Sequence, residues 1–201
     1  MKILITIAMM LCTLTGVHAI TAEQVLAKVS TALTSPASVS VTFGFSGSGG
    51  SGSGTMTVCR NRFTYNAGDL AVWFNGKTQW ALQRSVKEVS VTEPTASELM
   101  ESNPFNVVTG YQNHYTCKLL TAPAGQYKVS LTAKSRTATV KSAVITVNSG
   151  TFIPMSIEAT MSGGAKTTVT VKSFTKGKAL PQSYFEFNPK MNPEIEVVDL
   201  R

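Results

Sequence analysis

Gly47-Ser48-Gly49-Gly50-Ser51-Gly52 spells the glycine pattern that cradles a dinucleotide pyrophosphate, and Asp69 follows near the place of the carboxylate that would hold a ribose. That chemistry needs a helix N-terminus straight after the glycines, so that free backbone N–H groups and the helix dipole face the phosphates. Thr55-Met56-Thr57-Val58 follows instead, an alternating strand pattern, and the stretch is no nucleotide site. Gly76-Lys77-Thr78 has the closing residues of a phosphate loop, but Ala71 stands where the first glycine belongs, and it reads as a turn. Catalytic side chains are scarce. Once an export signal is removed, His114 is the one histidine, which excludes a histidine metal cluster and leaves any Ser-His-Asp arrangement resting on a single residue. Of 11 carboxylates, Glu98 and Glu101 pair at helical spacing, as on a solvated helix face, and not as a general acid and base. Two cysteines make no metal site. The residues call for no cofactor and point away from an enzyme.

What they point to depends on the compartment. Lys2, the apolar run from Ile3 to Leu14 and the small-residue end Val17-His18-Ala19 have the order of a secretory signal, with cleavage expected after Ala19. Met10 and Leu11 precede Cys12 where a lipidation signal wants small residues, so no acylation is expected there. Losing Lys2 lowers the formal charge from +7 to +6. Such a basic chain in the cytoplasm would raise nucleic acid as a partner, and export removes it. Removing 19 of 201 residues leaves 182, one domain's worth, so residues 20–201 are expected to form a single domain. Cys59 and Cys117 remain where disulfides are permitted. They are expected to be joined, closing a loop of about sixty residues for about 4 kcal/mol; two small buried thiols are the alternative.

The elements follow from periodicity. Thr21-Ala22-Glu23-Gln24 is a capping box, and Leu26, Val29 and Leu33 lie on one helical face that Pro36 terminates. From Val39 the period becomes two: Val39, Val41, Phe43 and Phe45, then Met56 and Val58, Phe63 and Tyr65, Val72 and Phe74, Val89 and Val91. The alternation returns with Val129 and Leu131, Ile145 and Val147, Met155 to Met161, Val169 and Val171, and lastly Phe185 and Phe187. Turn residues separate these strands, and the Gly/Ser run from Ser46 to Gly54 reads as a hairpin tip. One helical segment interrupts the meander. Thr95-Ala96-Ser97-Glu98 is a second capping box, Asn103-Pro104 restarts a helix, and Gly110 ends it. Leu99, Met100, Phe105, Val107 and Val108 make this segment apolar on at least one side, as a lid over a curved antiparallel sheet must be.

The chain from residue 20 onward resembles the periplasmic lipoprotein carriers of the LolA type nearly end to end. The resemblance is carried by the strand Gly54 to Arg60, by Asn75-Gly76-Lys77-Thr78-Gln79-Trp80 where the family has Asp-Gly-Lys-x-x-Trp, by Asn103-Pro104, and by the closing Phe185-Glu186-Phe187-Asn188-Pro189 and Val197-Val198-Asp199. It implies an unclosed antiparallel β-barrel with helices in its mouth, and a lid of Leu99, Met100, Asn103, Pro104, Phe105 and Val108. It also implies that Arg60 latches the lid, and that a monomeric carrier takes acylated lipoproteins from an inner-membrane release complex to an outer-membrane acceptor. The expected acyl-lining wall is Val41, Phe43, Met56, Val58, Phe63, Trp80, Met155, Ile157 and Met161, aliphatics and phenylalanines with methionines as adaptable fillers. A carrier of another envelope lipid or a lipid-sensing module with the same fold is the alternative, and a secreted structural β-sandwich a more distant one.

Overall fold

A computed structural model describes residues 19–95, 98–99 and 110–201. Of the expected lid, Met100, Asn103, Pro104, Phe105 and Val108 therefore lie outside the described residues, as does the export signal up to His18. Helix α1 (Ala22–Thr34) starts as the sequence requires: Gln24 N–H donates to Thr21 Oγ1, and Thr21 N–H donates to Gln24 Oε1. Ser35 caps its other end by donating to the Thr31 carbonyl, and Pro36 follows. Val25, Leu26 and Val29 are fully buried. Each contributes roughly 1.5–3 kcal/mol relative to exposure, which is what a thirteen-residue helix of middling propensity needs to persist.

The strands are β1 (Ser38–Gly47), β2 (Gly50–Cys59), β3 (Arg62–Ala67), β4 (Leu70–Phe74), β5 (Gln79–Gln83), β6 (Glu88–Thr92), β7 (Tyr115–Leu120), β8 (Gln126–Ala133), β9 (Val140–Asn148), β10 (Pro154–Met161), β11 (Lys166–Gly177) and β12 (Glu196–Asp199). A short helix α2 (Tyr111–His114) precedes β7. All twelve strands form one sheet in the order β12-β6-β5-β4-β3-β2-β1-β11-β10-β9-β8-β7. Every pairing is antiparallel except β12 on β6. The sheet is not closed. It is nevertheless curled, because α1, about 20 Å long, touches β1 and β2 on one side and β7 and β8 on the other. Between β2 and β7 lie six strand spacings of about 4.8 Å.

Three segments differ from the sequence expectation. Phe185 and Phe187 belong to a strap whose 3-10 turn (Gln182–Phe185) lies over the outer, convex face, and they form no strand. Tyr115 to Leu120 and Glu196 to Asp199 supply the two edge strands, which the alternation above did not include; Tyr115, Cys117 and Leu119 do alternate with Thr116 and Lys118, whereas Glu196 to Asp199 is only four residues long. The Gly/Ser run is itself strand: β1 and β2 stay paired out to Gly47 and Gly50.

The reason is a close fit. A Cβ at Gly52 would lie 2.7 Å from the Phe45 ring, and one at Gly54 would lie 2.6 Å from both the Phe43 ring and the Asn66 carbonyl. Glycine here leaves room for the aromatic side chains of β1 to lie across β2. Gly54→Ala should therefore destabilise the protein by about 1–3 kcal/mol through overpacking. Gly49→Ala, where nothing lies within 4 Å, should stay within about 0.5 kcal/mol of wild type. Urea denaturation of both variants measures the contrast.

Candidate functional site

The register fixes which side chains share a face. Val41 pairs with Met56, Met56 with Tyr65 and Tyr65 with Val72, while Val39, Val58, Phe63 and Phe74 form the next row. On the other side of β1, Phe45 pairs with Val169, Val169 with Ile157, and Ile157 with Ile145. All of these face α1. Together with Ala22, Val25, Leu26, Val29 and Leu33 of the helix they make one apolar cluster running from β4 through β1 to β7. The concave side of the curl is thus a continuous apolar wall with α1 laid into it.

Of the expected lining residues, Val41, Phe43, Met56, Phe63 and Ile157 are buried in this cluster, and Val58 packs partly buried against it. Trp80 does not come to that wall. It pairs with Trp73 and Val91 on the opposite face and packs in a second cluster under Phe187 and Ile195. In the neighbouring β4 both faces are apolar, Val72 and Phe74 on one and Ala71 and Trp73 on the other, so alternation there does not say which one Trp80 joins. Met155 is 37% exposed, because a register shift between Pro154 and Ser156 leaves it outside the pairing. Met161, at a second shift, is half-buried outside the cluster. Leu99, the described part of the expected lid, packs against the cluster, and its N–H donates to the Thr95 carbonyl. The second capping box is formed: Thr95 N–H donates to Glu98 Oε2 at 2.7 Å and Glu98 N–H to Thr95 Oγ1 at 3.4 Å.

Several wall residues carry polar atoms that alternation did not single out. Tyr65 stacks on Phe43 with centroids 5.6 Å apart, and burial pushes its hydroxyl pKa up. Tyr115 donates to the Val140 carbonyl at 3.2 Å. Tyr111, next to the expected lid, is buried, which likewise raises its pKa.

Arg60 occupies the β2–β3 turn, exposed, with φ at 58°. That first turn position favours glycine, so the arginine is held there against its backbone preference. The turn lies at the same end of the sheet as the β4–β5 turn and the exit of β6 toward Thr95, as the alternating hairpins require. Asn75 builds the β4–β5 turn by accepting from the N–H groups of Lys77 and Thr78, and its amide donates to Glu186 of the strap at 3.1 Å. The neighbouring Arg62 holds the strap as well, with its guanidinium 4.8 Å from the centre of the fully buried Phe185 ring.

The cysteines are free, which corrects the expected disulfide. Cys59 lies on the convex face in β2 and accepts from Arg62 Nη2 at 3.3 Å, whereas Cys117 faces α1 from β7. Strands β1, β11, β10, β9 and β8 separate them. The Cys117 thiol donates to Glu23 Oε1 at 3.2 Å, tying the first turn of α1 to the sheet edge. Burial, and then the Glu23 carboxylate, push its pKa up to about 11. His114 is exposed, and among the described residues no three His, Cys, Asp or Glu side chains are grouped to hold a metal. No helix among the described residues is long and apolar enough to cross a membrane.

A model of the family described as outer membrane lipoprotein carrier protein LolA matches residues 12–164. Among solved structures, the fold is similar to an uncharacterized conserved protein from Thermus thermophilus, with a TM-score of 0.61 at 11% identity, covering 89% of this chain and 98% of that one. It is also similar to a DUF1329 family protein from Desulfovibrio piger, with a TM-score of 0.50 at 11% identity over 82% of this chain and 95% of that one. A LolA superfamily protein from Nitrosomonas europaea aligns with a TM-score of 0.47 at 14% identity, over 84% of this chain and 99% of that one. At these identities the first two show a shared fold alone. No curated protein matches the chain.

The Glu23–Cys117 contact has a measurable consequence. A thiol ordinarily near 9.0 and raised to about 11 should react slowly with iodoacetamide, with a rate still climbing at about pH 10. Glu23→Gln should bring the midpoint down, because an amide does not oppose the thiolate. In denaturant both cysteines should label without reductant. A native midpoint at 9 or below contradicts the arrangement.

Proposed function

The chain belongs to the family of outer membrane lipoprotein carrier protein LolA, and from that premise we propose that residues 20–201 form a monomeric periplasmic carrier. It takes the acyl chains of lipoproteins from an inner-membrane release complex and delivers them to an acceptor at the outer membrane. The observation that supports this reading most is the apolar concave wall, continuous from β4 to β7 and covered by α1, with Leu99 packed against it. An open sheet has an unpaired edge on each side, so its curl can widen without breaking a ladder, as a closed barrel cannot.

Affinity alone does not make a carrier. Ten buried methylenes contribute about 8 kcal/mol before ordering costs, and cargo held that tightly leaves only if a second state binds it less well. In this reading the lid supplies the two states and Arg60 is its latch, donating to backbone carbonyls of the lid segment from a turn at the end of the sheet where that segment begins. The strained left-handed backbone of an exposed arginine supports a role other than folding.

Replacing Arg60 tests the latch. Arg60→Leu should remove charge-assisted bonds of about 1.5–3 kcal/mol, leaving uptake of a fluorescent acylated peptide intact while slowing its transfer to acceptor membranes. Arg60→Lys should be milder, since it keeps the charge and loses the planar fork. Arg60→Gly should melt no lower than wild type, because glycine suits the turn, and should still show the transfer defect. Wild-type transfer by Arg60→Leu contradicts the latch, and failure of the wild-type protein to take up the peptide contradicts the carrier.

A further inference from the structure

Lysine and arginine are distributed unevenly along the chain. Residues 111–178 hold nine of them against a single carboxylate, Glu158, whereas the rest of residues 20–201 hold eight against ten carboxylates. The topology turns this imbalance in sequence into one in space, because residues 111–178 supply β7 to β11, which lie side by side beyond β1. One half of the sheet is therefore strongly basic.

The charge gathers at one end of that half. Lys134 and Arg136 stand in the β8–β9 turn, Lys141 is the second residue of β9 and Lys166 opens β11, where Thr160 pairs with Lys166 and Met161 with Val140. All four sit at the ends of the neighbouring strands β8 to β11, a width of three strand spacings of about 4.8 Å. It is the end where Gly47 pairs with Thr167, opposite the Arg60 turn. Lys134 Nζ donates to the Gln112 carbonyl at 2.9 Å and Lys141 Nζ to the Arg136 carbonyl, neutral acceptors that fix the amines without cancelling their charge. Among the described residues none of the four is paired with a carboxylate. Like charges within a Debye length, roughly 10 Å at 0.1 M salt, repel one another, so the fold gains nothing from their company.

We propose that this end of the β7–β11 half docks on the anionic phosphates of a lipid surface. A protein partner of opposite charge would be held by a desolvated apolar or aromatic anchor, in a contact from which lysine is usually depleted. This end offers no such anchor among the described residues. Met155 is the one exposed large hydrophobic side chain of the half, and it lies at the other end, beside the β9–β10 connection. A lipid surface asks only for cations within its reach. Gly163 and Gly164, in the turn before Lys166, have nothing within 4 Å of where a Cβ would stand, so that turn can come flush with a plane. Docking of this kind is reversible and leaves the Arg60 end of the sheet facing away from the membrane. It concerns the surface and not the cargo, and does not rest on the carrier reading.

Co-sedimentation with vesicles of phosphatidylethanolamine and phosphatidylglycerol, and with vesicles of phosphatidylcholine alone, tests the docking. Wild type should bind the first and not the second, and should lose binding as salt rises from about 0.05 to about 0.3 M. Arg136→Gln combined with Lys141→Gln and Lys166→Gln should weaken binding about a hundredfold, at roughly fivefold per cation. Lys134, which holds α2, is left in place. Lys77→Gln combined with Lys87→Gln and Lys190→Gln removes the same charge from elsewhere, and should stay within about threefold of wild type. Sodium phosphate should compete no better than sodium chloride of equal ionic strength. Equal weakening by both triple variants, or selective competition by phosphate, overturns the inference. So does an absence of binding to the phosphatidylglycerol vesicles, the result an acidic protein partner would give. Each of these leaves the carrier reading standing, because uptake of an acylated peptide in solution does not pass through this surface.

Discussion

The ladder between β1 and β11 is the constraint on which the rest of the molecule depends. The chain lays down β1 to β6 outward from the middle of the sheet, then starts again at the far edge with β7 and works back to β11. The pairs from Ser38 with Gly177 to Gly47 with Thr167 join these two halves. Closing so long a loop carries an entropic cost, which grows only slowly with its length. It is offset where Val41 meets Phe174, Phe43 meets Val171 and Phe45 meets Val169 on the apolar face. A register shift between Thr42 and Phe43 sits in the middle of this ladder, and such a bulge sharpens local twist. The curl and the seam coincide.

Helix α1 braces the same junction from inside. It contacts β1 and β2 of one half and β7 and β8 of the other, with Glu23 bonded to Cys117 and Lys28 lying 4.6 Å from the centre of the Phe152 ring. The wall that would hold acyl chains is therefore already occupied by the helix's own valines and leucines. Cargo entry must exchange one apolar contact for another, which keeps the net gain well below the gross burial. That exchange is compatible with release. On the convex side, the strap from Phe185 to Ile195 covers the second apolar patch over Ala71, Leu82 and Val89, so that patch has its cover within the chain.

The sequence carried much of this in its periodicity. Both capping boxes form as read, and the alternating segments from Val39 to Val91 and from Val129 to Val171 are strands, because a half-buried strand imposes its period of two on the side chains. Alternation fails where both faces are buried, which is how Trp80 joined the wrong wall, and where a register shift breaks the period, as at Met155. The strap residues Phe185 and Phe187 mimic alternation in a segment that is not strand. Two cysteines in an exported chain suggested a bond, but pairing depends on strand order and face, and neither is written in local pattern.

Photo-crosslinking with a fatty acyl chain carrying a diazirine near its methyl end addresses the central claim, that the concave wall is the acyl site, most directly. Peptide mapping should place the label on Phe43, Met56, Ile157 or the α1 residues that face them. Label concentrated instead on Trp73, Trp80 or Phe187, under the convex strap, would contradict the account.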